Sequence, residues 1–117
     1  MSEEFSTAQF KRTDTDHVER SVRAERARQL AKWGPQTHAN GTSHEAWHHH
    51  TEEARSAWER ARETGAETWQ QILMEEVLEV FECDEDDLEN MYAELIQVAA
   101  VTKAWLVDIY HKRAAQQ

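Results

Sequence analysis

The sequence predicts an all-α fold, a helical bundle of about four helices, and three observations carry that expectation. Only three Gly and one Pro occur in 117 residues, whereas a sandwich or barrel needs a turn signal every 8–12 residues or so. Apolar residues return every three or four positions through the C-terminal half, the period of a helix with one buried face. The breakers that do occur cluster: Gly34-Pro35 with Gly41, then Thr64-Gly65. The length suits one domain. A chain this short buries only about two-thirds of its unfolded surface, so a second chain is expected to complete the core.

Residues 1–16 are polar and hold no sustained period, so they read as a loose arm ahead of a single all-α domain over 17–117. Helix formers crowd His17–Lys32. Val18, Val22 and Leu30 share one broad face there, with Ala27 and Ala31 at its margin. Gly34-Pro35 stops this helix, and WGPQTHANGTS (33–43) is the clearest loop. A second helix covers His44–Glu63, with Ala46, Ala54, Ala57, Trp58 and Ala61 on its small or apolar side, and Thr64-Gly65 ends it. Thr68 caps a third helix, Trp69–Cys83, whose Ile72, Leu73, Val77, Val80 and Phe81 keep the helical period. The acidic turn Asp84-Glu85-Asp86-Asp87 leads into a fourth helix, Leu88–Arg113, with Asp87 placed as its cap. Met91, Leu95, Val98, Val101, Trp105 and Ile109 form its stripe, and the small segment Val98-Ala99-Ala100-Val101 suits close helix packing.

Composition excludes several classes. Asp and Glu number 23 against 13 Lys and Arg, a net charge of −10, which disfavours a nucleic-acid partner because phosphate binding needs clustered bases. Five Trp argue against disorder. The single Cys83 cannot form an internal disulfide. It has no His or basic residue beside it to lower its pKa, which argues against a nucleophile. No apolar run approaches the ~20 residues of a membrane span, and the acidic start MSEEFSTAQF lacks a signal-peptide core. A cytoplasmic protein with no membrane partner is expected.

The informative feature is where the acids fall. Glu75, Glu76 and Glu79 lie three and four apart, so Glu76 and Glu79, or Glu75 and Glu79, share a helix face. Leu73, Val77 and Val80 interleave them, and Glu94 on the fourth helix sits equally amid apolar positions. If the two helices run antiparallel across the acidic turn, these carboxylates face one another. Acids near a core are costly unless protonated, paired or bound to a cation. A solvated face with i,i+4 charge pairs is the competing reading. At i+4 from Glu75, Glu76 and Glu79, however, stand Glu79, Val80 and Cys83 rather than lysines. Convergent carboxylates of this kind favour a hard divalent cation, and Mg²⁺ fits best.

The run Glu75-Glu76-Val77-Leu78-Glu79, followed after a turn by Glu94-Leu95-Ile96-Gln97, resembles the EExxE…ExxD signature of MazG-like nucleotide pyrophosphohydrolases. The frames WQQILMEEVLEVFE and AELIQVAAVTKAWL are similar to members of this all-α family from actinobacteria and their phages. The resemblance covers residues 69–106 well and RQLAKWGPQTHANGT more weakly. It implies a homodimer or homotetramer, in bacterial or host cytoplasm, that uses Mg²⁺, with Mn²⁺ as a substitute. The implied reaction takes a nucleoside triphosphate to the monophosphate and pyrophosphate. Carried over, Glu76, Glu79 and Glu94 are metal ligands, and Glu75 is a ligand or orients a water. The family's closing Asp is Gln97 here, whose amide oxygen can ligate but brings no charge. That departure keeps open a non-catalytic module binding a nucleotide or a protein partner. A structural protein with solvated acids is a third reading.

Among other residues, Lys103 follows the ligand segment, where family members use basic residues against phosphates; an ordinary surface lysine is the alternative. In the 33–43 loop and just before it, Lys32, Trp33, Gln36, His38 and Asn40 offer a stacking indole and polar groups for a base or phosphate. A structured connection anchored by Trp33 competes with that reading. His48-His49-His50 point three ways on a helix and cannot meet on one ion. His44 with His48, alone or joined by Glu52, is geometrically feasible for zinc, but no Cys stands nearby for a structural site, and a plain polar surface is the favoured reading. Trp47, Trp58, Trp69 and Trp105 read as core or interface.

Overall fold

The computed structural model describes residues 3–116, with side chains from Arg12 onward. It is all-α, with four helices among the described residues: α1 (Glu3–Trp33), α2 (His44–Glu63), α3 (Trp69–Phe81) and α4 (Leu88–Ala115). The chain divides into two compact units, Met1–His38 with Lys103–Gln117, and Ala39–Thr102. No helix among the described residues is long and apolar enough to cross a membrane.

Local chemistry sets the helix ends. The Ser43 hydroxyl accepts from the Ala46 amide and caps α2. Thr68 caps α3 in a full capping box, its hydroxyl accepting from the Gln71 amide while the Gln71 side chain accepts from the Thr68 amide. Asp87 Oδ1 accepts from the Asn90 amide at 3.1 Å at the start of α4. Beyond α2, Gly65 adopts φ +70°. Its amide donates to the Arg62 carbonyl at 3.1 Å and the Ala66 amide to the Ala61 carbonyl at 2.8 Å. That is a Schellman ending, which asks for glycine at this position.

In the first unit, α1 and the end of α4 run antiparallel. Buried Asp14 meets the Nε2 of His111, His17 stacks on Tyr110 at 4.4 Å, and Lys103 pairs with Glu19 at 2.9 Å. Residues 3–16 of the arm expected over 1–16 are helical instead, because α1 starts at Glu3, and residues 1 and 2 lie outside the described residues. Hydrophobic period cannot announce a helix whose buried group is a carboxylate. Leu30, expected on the buried face, is 52% exposed, whereas Val18 is buried.

In the second unit, α2 packs antiparallel on α3, which turns back antiparallel onto α4. Val80, Cys83 and Met91 form the core, with Val98 packed against them. Thr51 is fully buried. Its hydroxyl lies 3.1 Å from the Trp47 carbonyl and 3.3 Å from the Leu78 carbonyl, joining α2 to α3. The Trp47 and Phe81 rings meet at 5.1 Å. Leu95, expected in the core stripe, is about half exposed. The buried face of α4 runs through Met91 and Val98 with Glu94 between them, so the face is turned toward an acid and leaves Leu95 at its edge.

Candidate functional site

The capping box fixes where α3 begins, and its second half carries Glu75, Glu76 and Glu79 toward α2 and α4. The acidic turn, held by the Asp87 amide on the Asp84 carbonyl at 3.1 Å, returns the chain so that Glu94 faces α3. One carboxylate oxygen from each of Glu76, Glu79 and Glu94 lies within 4.8 Å of the others, a set able to hold a metal ion. All three side chains are half-buried. Oε2 of Glu76 and Oε2 of Glu94 are buried with no hydrogen-bond partner.

Such crowding raises proton affinity. Burial first, then the charges of Glu79, Glu75 and Glu94, push the Glu76 carboxyl up to about 7. Glu94 is raised by burial and by its contact with Glu79. Glu75 is raised by burial, although its hydrogen bond with Arg55 pulls the other way. Burial, then the charges of Glu94, Asp87, Glu82 and Asp84, also raises the Cys83 thiol, which makes it a poor nucleophile.

Sequence reasoning missed Arg55. From α2 it reaches Glu79 at 3.0 Å, Glu75 at 3.3 Å and Glu52 at 3.0 Å. The run was read as short of basic partners, and for Glu75 and Glu79 that is corrected: their partner lies 20 and 24 residues away in sequence. The hydrogen bond to Glu79 is the main influence holding the Arg55 guanidinium protonated. No short-range signal reports such a contact; only antiparallel packing of α2 on α3 produces it.

Glu79 and Glu94 border a cleft of about 560 Å³ that is also lined by Arg55, Glu82, Asp84 and Asp87, among others. No family, no characterised protein and no solved structure matches the chain. The geometry therefore has to speak for itself. A hard divalent cation takes carboxylate oxygens, and the bare Oε2 atoms of Glu76 and Glu94 supply them. The residues present thus fit Mg²⁺.

The remaining candidates are placed as follows. Gln97 is exposed on α4, three residues beyond Glu94. Asn40 Nδ2 donates to the Glu85 carbonyl at 3.2 Å, so it braces the acidic turn. Lys32 lies over the Trp33 ring, 4.8 Å from its centroid, and that indole is 57% exposed. His38 contacts Gln36 at 2.9 Å, and Lys103 holds Glu19. The carboxylate cluster contains none of these. His48 contacts Glu82 at 3.0 Å, with Glu52 farther off at 3.9 Å, so the geometrically feasible set of His44 and His48 meets Glu82 more closely than Glu52. Trp47, Trp58, Trp69 and Trp105 are half-buried.

Proposed function

We propose that the chain is a Mg²⁺-dependent nucleoside triphosphate pyrophosphohydrolase of MazG-like type, converting a (d)NTP and water to the (d)NMP and pyrophosphate. The observation that carries this reading is the convergence of Glu76, Glu79 and Glu94 beside an open cleft. Glu76, Glu79 and Glu94 would hold the metal. Bound there, it supplies phosphate charge neutralisation and a lowered pKa for the attacking water. Arg55, half-exposed at the cleft, offers a planar donor fork to a phosphate oxygen. Glu75, kept beside Arg55 and raised in proton affinity, is suited to orient the water and take its proton. No covalent enzyme intermediate is required.

The exposed apolar residues Leu88, Tyr92, Leu95 and Ile96 on α4 support a homodimer or homotetramer. A cytoplasmic location suits the nucleotide substrate. Exposed Gln97 in the place of the family's Asp favours a second reading, a nucleotide- or protein-binding module without turnover.

Incubation with Mg²⁺ and a panel of ribo-, deoxyribo- and modified triphosphates, with products resolved by chromatography, separates the two. Monophosphate with pyrophosphate, abolished by EDTA and by Glu79→Gln, is the expected result. Triphosphates that all remain intact would reject the hydrolase and leave the binding module.

A further inference from the structure

The second side-chain cluster able to hold a metal lies about one turn beyond Glu79, where the end of α3 meets the start of α2. His44 and His48 are four residues apart on α2 and so share one face a single turn apart. Glu82 is the residue that closes α3. One donor atom from each lies within 4.8 Å of the others. His48 Nδ1 is already 3.0 Å from Glu82 Oε2, and the two imidazoles stack at 4.5 Å.

We propose that His44, His48 and Glu82 form a binding site for a transition-metal ion of the Zn²⁺ class, separate from the carboxylate cluster. The proposal does not depend on the hydrolase reading. Three features support it. First, the backbone holds the ligands in place: the Ser43 amide donates to the Phe81 carbonyl at 2.8 Å, fixing the residue before His44 against the residue before Glu82. Second, the donor set is right for the metal. Two imidazole nitrogens and one carboxylate suit Zn²⁺, Ni²⁺ or Co²⁺, whereas Mg²⁺ prefers oxygen alone. Third, the ring nitrogen of His48 that faces away from Glu82 is backed by an acid. Its Nε2 lies 3.9 Å from Glu52 Oε1, and Glu52 is itself held by Arg55 at 3.0 Å. A carboxylate that hydrogen-bonds a ligating histidine fixes its tautomer and raises its basicity, and Glu52 needs to close by about 1 Å to do so.

Ligands at about 2.1 Å from one ion stand at most ~4.2 Å apart, so a small side-chain rotation closes the set. Three protein ligands leave a position for water or another ligand, and His44 and Glu82 both line the cleft. His49 and His50 point elsewhere: His49 pairs with Glu53 at 2.9 Å and His50 lies against Trp47.

The test is calorimetric titration of the full chain, free of any affinity tag, with Zn²⁺ alone, alongside the visible absorption of bound Co²⁺. One Zn²⁺ per chain is expected. Affinity should fall at least roughly tenfold in His44→Ala, His48→Ala and Glu82→Gln, and hold in His49→Ala and Glu76→Gln. Glu82→Gln keeps the side-chain shape and guards against a folding artefact in the histidine variants, as does helical circular dichroism. Zinc affinity that survives His48→Ala and Glu82→Gln, or that is lost in Glu76→Gln, overturns the proposal. So does the absence of saturable binding.

Discussion

Among the described side chains of α1, two acids that are not exposed each face a basic group: Asp14, whose Oδ2 has no hydrogen bond but an ion pair with His111, and Glu19 with Lys103 at 2.9 Å. Between α3 and α4 acids are gathered against one another, with Glu76, Glu79 and Glu94 inside 4.8 Å and two of their oxygens left bare. Pairing relieves the cost of burying a charge. Gathering increases it: of these three only Glu79 meets a cation within the chain, Arg55 at 3.0 Å, and a bound metal ion would relieve the rest. Both units contain half-buried carboxylates, and the partner each acid faces, more than burial itself, distinguishes a strut from a site.

The contrast can be broken by removing charge from the gathered set. Glu76→Gln and Glu79→Gln should each lower triphosphate hydrolysis about a hundredfold or more, roughly 3 kcal/mol of barrier. They should also abolish any rise in melting temperature on adding Mg²⁺, which follows from loss of a bound ligand. Steady-state rates and thermal melts of the variants check both, and undiminished turnover in the two would remove the ligand assignment. In the paired unit the damage should fall on stability instead. His111→Ala leaves the Asp14 carboxylate buried without its base, at a cost of about 2 to 3 kcal/mol in denaturant unfolding.

Proton binding gives a smaller, signed effect. Glu76 titrates near 7 in the folded chain and near its ordinary value when unfolded, so the folded state binds more protons between those limits. The Glu76 contribution to metal-free stability is therefore full below about pH 4.5 and is lost as pH rises through about 7, roughly 1 kcal/mol once solvent screening is discounted. Glu76→Gln should flatten that decline, which melts across pH would display, and an unchanged slope would contradict the shift. Because the ligands bind metal when deprotonated, Mg²⁺ affinity should rise over the same range.

Gln97→Asp should raise turnover only severalfold, roughly 1 kcal/mol or less, by adding a negative charge one turn beyond Glu94. Kinetics of that variant show whether Gln97 limits the reaction. Least of all, Lys103→Ala should cost about 0.5 kcal/mol, the scale of a part-exposed ion pair; a much larger loss in chemical denaturation would give Lys103 a heavier role than holding Glu19.

Helices α2, α3 and α4 were legible because their signals are local: Thr68 and Asp87 as caps, Thr64-Gly65 as a stop, and an apolar period between. The gathering of Glu76, Glu79 and Glu94 was legible too, since a short turn forces neighbouring helices antiparallel. What escaped depends on contacts between residues distant in the chain. Residues 3–16 are helical without an apolar stripe, Arg55 finds Glu75 and Glu79 across two helices, and His48 finds Glu82 34 residues on. Leu95 was misplaced because period alone locates a face only to within a residue or so, and here Glu94 takes the inner position.

The Leu78 carbonyl accepts the helical amide of Glu82 at 3.0 Å and lies within reach of the Thr51 hydroxyl at 3.3 Å. In terms of hydrogen exchange, this makes one oxygen a fastener for both the last turn of α3 and the middle of α2. The amides around Leu78 and Glu82 should exchange together and late, as a single opening unit. Thr51→Val should loosen the exchange of both helices at once.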